Sequence, residues 1–103
     1  MSDLEPHIEL IKKARQGDKG ATDRLAEVAS VRLREYVLRL TLDRNLTEDI
    51  VQESMLEMLR VFDKLKKAER FWNWLYGIAY NKVREHRRGQ SRRKAASLSA
   101  VGA

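Results

Sequence analysis

Apolar residues recur along this chain at spacings of three and four positions, which is the period of an amphipathic helix. The first segment with this pattern carries Ile8, Ile11 and Ala14 on one face. Asp3 is predicted to cap this first helix, and Gly17 is predicted to end it, because glycine readily adopts the left-handed conformation found at helix ends.

A second helix is predicted to start near residues 18–21 and to end at about Leu40. Its inward positions recur at helical spacing and are Leu25, Val28, Ala29, Arg32 (through its stem only), Tyr36 and Leu40. Residues 41–46 are predicted to form a loop, because three polar turn-forming residues lie together there.

Thr47 is predicted to cap a third helix that reaches about Phe62, with Glu48 and Asp49 near the positive end of the helix dipole. With Ile50 as reference, one side of this helix holds Val51, Ser54, Met55, Met58, Leu59 and Phe62. The other side holds Asp49, Gln52, Glu53, Leu56, Glu57 and Arg60. Two interpretations of this acidic side remain open: a solvated outer face, or a docking surface for a basic protein with Leu56 as its apolar anchor.

A polar connection at 63–69 precedes a fourth helix predicted over 70–88. The inward arc of this helix holds Phe71, Trp74, Leu75, Ile78 and Ala79. The opposite, exposed arc holds Asn73, Tyr76, Gly77, Tyr80, Arg84 and Arg87, with Asn81 and Arg88 on its flank. Trp72 lies at the border of the two arcs, at the helix start, where it is positioned to wedge against a base pair.

The composition agrees with a helical fold. Hydrophobic residues make up 43% of the chain and charged residues 35%, which suits amphipathic helices with charged outer faces. One proline and five glycines leave few breaks for the turns of an all-β fold. We therefore predict an all-α protein, a compact bundle of about four helices over 1–90. Residues 91–103 lack periodicity and are predicted to be a flexible tail or the start of a linker.

Positive charge and aromatic rings are concentrated in one segment. Five of the seven aromatic residues lie within 71–80, and 82–94 carries seven cations against one anion. That excess equals the net charge of +6 of the whole chain, so the basicity is local. Cations attract phosphates and flat rings stack on unpaired bases, so the segment predicts nucleic-acid binding.

Other classes of function are disfavoured. The chain has no cysteine, which excludes disulfides and thiolate metal sites, and we expect no metal and no cofactor. No apolar run approaches the ~20 residues of a membrane span, so the chain is expected to be cytoplasmic and to have no membrane partner. His7 and His86 lie in different predicted helices without nearby nucleophile or ligand patterns, and an enzyme is not expected.

Two motifs carry a resemblance to a known family. TEDIVQESMLEMLR at 47–60 opens one helix, and FWNWLYGIAYN at 71–81 opens the next. In this order they resemble region 2 of bacterial RNA polymerase sigma factors, in particular the small extracytoplasmic-function (ECF) group. The resemblance extends over residues 8–88 and implies a transcription initiation factor without catalytic activity of its own.

The resemblance also implies roles for the exposed residues. In the family, the third helix docks on a coiled coil of the β′ subunit of core RNA polymerase, and Asp49, Gln52 and Glu53 occupy the matching positions. Leu56, Glu57 and Arg60 share that face. The loop with Lys66, Lys67 and Arg70 would capture a base flipped from the non-template strand of the minus-ten promoter element. The fourth helix would bind the same single strand and its phosphates through Trp72, Asn73, Tyr76, Tyr80, Asn81, Arg84, Arg87 and Arg88. An anti-sigma factor is a further partner that the resemblance allows.

The chain departs from the family pattern in its base-capturing loop. The family form is close to R-G-[DE]-S-[SA], whereas this chain has KKAER at 66–70, so the identity of the captured base is left open. Gly77 stands where the family tends to have arginine. Family members of this group also carry a C-terminal helix-turn-helix domain, and SLSAVGA reads like the start of a linker to one.

Two alternatives differ in what they leave unexplained. A duplex-binding regulator would use the basic helix in the major groove, but it would not explain the exposed tyrosines or the acidic third helix. A pure protein-interaction or polymerase-interaction module would make the basic segment incidental. The function of such a module would be unchanged by Arg84→Ala and Arg87→Ala.

Overall fold

The computed structural model describes residues 7–102, with side chains up to residue 98. Within this range the chain forms four α-helices and two short 3-10 helices, and no strand. The α-helices are α1 (Ile8–Arg15), α2 (Lys19–Thr41), α3 (Arg44–Val61) and α4 (Phe71–Gly102). The 3-10 helices, Phe62–Lys64 and Ala68–Arg70, lie in the connection between α3 and α4. The predicted all-α bundle is confirmed, whereas the Asp3 cap lies outside the described residues.

The turn between α1 and α2 follows the sequence prediction. Gly17 has a φ of +93°, a left-handed conformation that favours glycine. Asp18 then caps α2, because its Oδ1 accepts a hydrogen bond from the backbone N–H of Ala21 at 2.9 Å. At the other end of α2, Leu42 adopts a φ of +55° and its N–H bonds to the carbonyl of Leu38, which stops the helix.

The buried side of α2 is a regular stripe in which every fourth residue points inward. Its members are Ala21, Leu25, Ala29, Leu33 and Val37. The sequence prediction included Leu25 and Ala29 but missed Leu33 and Val37. Val28, Tyr36 and Leu40, predicted as inward, are half-buried at the edge of the core. α1, α3 and α4 all contact α2, so the stripe forms the centre of the bundle.

The start of α3 corrects the sequence prediction. Asp43, not Thr47, is the cap: its Oδ1 accepts from the N–H of Leu46 at 3.0 Å, and the helix begins at Arg44. The predicted loop at 41–46 is therefore mostly helical, and Glu48 and Asp49 lie beyond the first turn.

Thr47 is buried instead, because its hydroxyl is paired with the hydroxyl of Thr41 at 2.8 Å. Two turns further along α3, the buried hydroxyl of Ser54 donates to the carbonyl of Ile50 at 2.7 Å. Both hydroxyls are thus satisfied inside an apolar contact between helices, as buried polar groups generally must be.

The inward side of α3 is largely as predicted. Its buried members are Thr47, Ile50, Val51, Ser54 and Met58. Leu59 was predicted to face inward, but it is 49% exposed, because no other helix covers that edge of α3.

The connection between α3 and α4 is more ordered than its polar sequence indicated. Leu65 and Ala68 are both buried and belong to the core. The guanidinium of Arg15 in α1 donates a hydrogen bond to the carbonyl of Lys66 at 3.1 Å. Apolar burial and this hydrogen bond together hold the connection against α1.

α4 buries one stripe and continues past the bundle. Its buried residues are Phe71, Trp72, Leu75, Ala79 and Val83. The sequence predicted an end near residue 88, but the helix continues to Gly102, and residues 90–98 are exposed. Good helix formers such as arginine, lysine and alanine explain the continuation without any packing partner. The assignment of 91–103 as a tail or linker stays a prediction.

The Asp43 cap can be tested by mutation. Asp43→Ala removes the hydrogen bond to Leu46 and is expected to lower the free energy of unfolding by ~1 kcal/mol. Asn45→Ala, at an exposed position in the first turn, is the matched control and should cause no comparable loss. Urea denaturation followed by circular dichroism measures both. Equal stability of the two variants would contradict the assigned cap.

Candidate protein-docking and nucleic-acid surfaces

The acidic side of α3 is solvent-exposed along its length. We call it the docking face; it consists of Asp49, Gln52, Glu53, Leu56, Glu57 and Arg60. All six are exposed except Glu57, which is half-buried. Leu56 is 65% exposed, so an apolar side chain stands among charged ones without cover from the bundle.

Charge on the docking face is unevenly distributed. The Arg60 guanidinium lies 2.7 Å from the Glu57 carboxylate. This hydrogen bond lowers the pKa of Glu57, and the charges of Arg60, Lys82 and Lys64 act in the same direction. Because Arg60 neutralises Glu57, the uncompensated negative charge of the face comes mainly from Asp49 and Glu53.

A cleft of about 390 Å³ between α2 and α3 adjoins the docking face. Its lining consists of Ser30, Arg34, Glu48, Val51, Gln52, Met55, Leu56 and Leu59. An ion pair of 2.7 Å between Arg34 and Glu48 connects the two helices there. The exposed Leu59, which the sequence analysis placed in the core, therefore extends the apolar part of this surface beyond Leu56.

Glu53 also has a partner on α4. Its carboxylate oxygens lie 3.4 and 3.3 Å from Nε2 of His86. His86, near which the sequence shows no nucleophile or ligand pattern, thus connects α4 to the docking face. The pattern of residues within either helix could not indicate this pairing, since it depends on how α3 and α4 cross.

The connection between α3 and α4 forms a second cleft, of about 560 Å³, which we call the loop cleft. It is lined by Lys64, Leu65, Lys66, Lys67, Arg70, Asn73 and Trp74. The structure thus brings together the four predicted residues Lys66, Lys67, Arg70 and Asn73. It adds Lys64, and it supplies an apolar wall from Leu65 and from Trp74, which was predicted to be core but is only half-buried.

Tyrosines cluster where α4 packs on α2. The ring centroids of Tyr36 and Tyr76 are 4.7 Å apart, and Tyr76 is half-buried rather than fully exposed as predicted. Burial raises the pKa of Tyr36, and neighbouring Tyr80 and Tyr76 act in the same direction. Tyr80 is 44% exposed, so it offers an accessible ring on the outer side of this cluster.

The predicted border position of Trp72 is wrong. Its side chain is only 6% exposed, because it packs against Phe71 and Tyr76 with centroid distances of 4.9 and 6.1 Å. The Arg32 guanidinium lies 4.7 Å from its ring, in a cation–π arrangement. In this conformation the ring of Trp72 cannot act as a wedge between base pairs.

The basic residues of α4 divide into two groups. Arg87 donates a hydrogen bond of 2.6 Å to the carbonyl of Leu40, near the C-terminal end of α2, so it serves the packing of these helices. In this conformation the Arg87 guanidinium is bound to a backbone carbonyl, so it must leave that carbonyl to use the same donor for the predicted contact with a phosphate. Asn81, Arg84 and Arg88 are exposed, as predicted. These residues, with Asn73, Tyr76 and Tyr80, form what we call the α4 face.

No group of three or more His, Cys, Asp or Glu side chains in 7–102 could hold a metal ion. In the same range, no helix has both the length and the apolar character needed to cross a bilayer.

Comparison with known families defines the class of this domain. Residues 27–93 match the family described as Sigma-70 region 2, and this segment contains α3, the loop cleft and the α4 face. The chain belongs to this family, whose members are transcription initiation factors, so the prediction that it is not an enzyme is confirmed.

Curated relatives point to the ECF group. The chain is 31% identical over 82% of its length to the ECF RNA polymerase sigma-E factor of Haemophilus influenzae, and covers 44% of that protein. It is 27% identical over 86% of its length to the RNA polymerase sigma-H factor of Pseudomonas aeruginosa, and covers 46% of it. A sigma-E factor of Salmonella typhimurium is 28% identical over 85% of the chain. The chain is therefore similar to relatives that are named as ECF sigma factors.

The chain spans less than half the length of these relatives. No solved structure gives a significant match.

The contact of Arg87 with α2 leads to a stability prediction. Arg87→Ala is expected to lower the free energy of unfolding by ~1 kcal/mol, the usual net contribution of a hydrogen bond. The neighbouring Arg88→Ala, at an exposed position, is the control and should leave stability within ~0.5 kcal/mol. Thermal and urea unfolding test this. If both variants unfold alike, Arg87 does not stabilise the end of α2.

Proposed function

We propose that this chain is the promoter-recognition part of a sigma factor, which docks on core RNA polymerase and captures the single-stranded minus-ten element. The observation that carries the proposal is the presence of two surfaces of opposite charge on different helices of one small bundle. α3 presents acidic residues around an exposed leucine, while the loop cleft and α4 present cations beside aromatic rings. A factor that must bind both a basic protein surface and a polyanion requires this arrangement.

The docking face suits a basic protein partner. Asp49 and Glu53 supply negative charge, and Leu56 supplies an apolar anchor whose surroundings are polar, as in many interface hot spots. The partner we propose is the coiled coil of the β′ subunit, whose exposed residues are rich in arginine in this family. Complementary charge would fix the orientation of docking and accelerate encounter, while burial of Leu56 would slow dissociation.

The loop cleft suits an unpaired base. Trp74 and Leu65 provide an apolar wall, Asn73 provides an amide donor and acceptor, and Lys66, Lys67 and Arg70 surround the opening. Such a site stacks the base, hydrogen-bonds to its edge and attracts its phosphates. The glycine and serine of the family loop are replaced here by Lys67 and Glu69, so the base preference of the family does not carry over to this cleft.

Melting would proceed by exchanging one set of stacking interactions for another. Each DNA base-pair step loses ~1.4 kcal/mol of stacking when it opens. Stacking of a base on a protein aromatic ring returns ~1–3 kcal/mol. Tyr80 offers an exposed ring and Trp74 a half-buried one, while Arg84 and Arg88 would hold phosphates of the displaced strand. The gain per base is similar to the loss, so we expect the domain alone to melt little DNA without the rest of the polymerase surface.

The proposal has consequences for location and for other partners. A domain that works on core polymerase acts in the bacterial cytoplasm. It needs no cofactor, because capture and melting involve only binding energy. An anti-sigma factor would inhibit it most directly by covering the docking face.

One observation favours a second candidate function, which is duplex DNA binding by a regulator. α4 continues as a helix with Arg92, Arg93 and Lys94 exposed, a shape that can follow a duplex groove. This function predicts tight duplex binding without polymerase and no preference for single strands. The acidic docking face has no role in it.

Polymerase docking can be tested by charge reversal. Asp49→Arg combined with Glu53→Arg is expected to abolish capture of core RNA polymerase in a pull-down, because like charges would then meet at the interface. The wild-type chain should capture it. A fragment comprising the β′ coiled coil should behave as the whole core enzyme does.

The matched control for this pull-down is Glu9→Arg combined with Glu85→Arg, which makes the same change of charge at exposed positions on α1 and α4. The control should retain polymerase binding. Undiminished capture by the Asp49/Glu53 variant would contradict the docking face. Failure of the folded wild type to bind polymerase would favour the duplex-binding alternative.

Single-strand binding can be tested at Tyr80. Tyr80→Ala is expected to weaken binding of single-stranded DNA by ~1–3 kcal/mol, since it removes an exposed stacking ring. Tyr80→Phe keeps the ring and is the control; it should bind nearly as the wild type does. Fluorescence anisotropy measures the affinity, and circular dichroism checks that helicity is unchanged. Equal affinities for the Ala and Phe variants would show that the ring does not stack on a base.

A further inference from the structure

Leu42 and Asp43 connect α2 to α3, and we call them the α2–α3 turn. At 85% exposure, Leu42 is the most exposed large apolar side chain in the described part of the chain. Its φ of +55° lies in the left-handed region, where glycine or asparagine usually ends a helix. A bulky residue is strained there, because its Cβ comes too close to a backbone carbonyl oxygen. A side chain that is both exposed and strained does not serve the core, and such residues occur at functional sites.

Arginines surround Leu42. Arg39 and Arg44 are both exposed, three positions before it and two positions after it. From α4, the guanidinium of Arg87 donates a hydrogen bond of 2.6 Å to the carbonyl of Leu40. An apolar side chain among cations suits DNA, because the cations can bind phosphates while the leucine contacts bases.

Negative charge is scarce at the α2–α3 turn. Asp43 is the one carboxylate within residues 39–44, and its Oδ1 already accepts the N–H of Leu46 in the helix cap. The basic protein surface that suits the docking face would be repelled by the arginines here. The turn is therefore a different kind of surface from the docking face, and its charge favours a polyanion.

The α2–α3 turn lies at the opposite end of the α4 face from the loop cleft. Asn73 lines the loop cleft, and Arg88 lies ~22 Å further along α4 by helical rise. Arg87, next to Arg88, reaches α2 two residues before Leu42. A strand along this face spans about six nucleotides at the ~3.4 Å rise of a stacked strand. Beyond the face the strand rejoins its complement, so the turn lies next to double-stranded DNA.

We propose that the α2–α3 turn binds the double-stranded DNA that flanks the melted strand, with Leu42 as an apolar wedge against the last base pair. Arg39 and Arg44 hold phosphates on either side of the wedge, an arrangement found in proteins that insert leucine between bases. Leu42 takes the place of the neighbouring base that has left the stack. The inference rests on the proposed function, since the α4 face has to hold the melted strand.

The experiment measures binding of the 103-residue chain to a short duplex with a single-stranded oligo-dT tail, and to the tail alone, by fluorescence anisotropy. Leu42→Gly should weaken binding to the tailed duplex about fivefold, as for loss of a partly buried leucine, and leave binding to the tail unchanged. Leu42→Met keeps an apolar side chain and should bind as the wild type does. Leu98→Ala, which removes a leucine that is 63% exposed beyond the bundle, is the control.

Two further measurements distinguish a wedge from a structural role. 2-Aminopurine at the first unpaired position should become brighter when the wild type binds, because Leu42 separates it from the last base pair. Leu42→Gly should remove this increase. The same variant should raise the Tm by ~4 °C, since glycine relieves the left-handed strain. Stability and binding would then change in opposite directions, whereas loss of a structural residue lowers both.

Arg44→Ala tests the phosphate contact in the same assay. It should reduce the slope of log affinity against log salt for the tailed duplex by ~0.9, the value for one lost duplex phosphate contact. Arg24→Ala is the control: it removes the same charge from α2 at a point ~27 Å from Leu42 by helical rise. Its slope should equal that of the wild type. Circular dichroism confirms that each variant is folded.

The outcomes separate this inference from the proposed function. If the wild type binds the tail but Leu42→Gly binds the tailed duplex undiminished, the wedge is overturned and single-strand capture stands. A lower Tm for Leu42→Gly, or weaker capture of polymerase with unchanged DNA binding, also overturns the wedge. An unchanged salt slope for Arg44→Ala overturns its phosphate contact. If the folded wild type binds neither DNA, both the inference and the single-strand part of the proposed function fail.

Discussion

Burial of one stripe on α2 is the constraint on which the remaining structure depends. Ala21, Leu25, Ala29, Leu33 and Val37 are all buried, and each of the other three α-helices packs on this helix. Full burial of a leucine or valine contributes ~1.5–3 kcal/mol relative to exposure, so the stripe is a large part of the stability of a small domain. The functional surfaces are the outer sides of helices whose inner sides this stripe orients. The direction of the docking face and of the α4 face is therefore a consequence of α2.

Helix number and most of the inner and outer sides could be predicted from the sequence, because the 3.6-residue period is a local property. The errors arose where tertiary contacts choose between equivalent local signals. Asp43 and Thr47 are both good caps, and the structure uses Asp43 because Thr47 is buried against Thr41 on another helix. The loop cleft could be predicted only in part, since the approach of Leu65 to Trp74 depends on the path of the 3-10 turns. The 49% exposure of Leu59 also had no local signal, because it depends on how the other helices pack against α3.

Contacts between helices link the two proposed surfaces. Glu53 of the docking face meets His86 of α4, and Arg87 of α4 meets the end of α2. Neither contact is deeply buried, and pairs of this kind typically contribute no more than ~1 kcal/mol. They join α4 to α3 and to the end of α2 outside the core, on the helix that carries the exposed cations. A partner that binds the Glu53 carboxylate would break its contact with His86. Binding at the docking face would then change a contact of α4, the helix that carries the α4 face.

The continuity of α4 beyond the bundle has a consequence for the speed of association. On a helix, Arg88 and Arg92 lie on one face, whereas Arg93 and Lys94 point to other sides of the axis, so the cations are spread around the helix. If the chain binds DNA as proposed, this positive charge would raise the rate of encounter with the polyanion at low ionic strength, and screening by salt would remove the effect. In the proposed function, residues of the bundle such as Arg84 and Tyr80 would then determine which encounters lead to a bound complex. Two successive segments of α4 would thus have different roles: the C-terminal segment would attract DNA, and the segment within the bundle would select the DNA that stays bound.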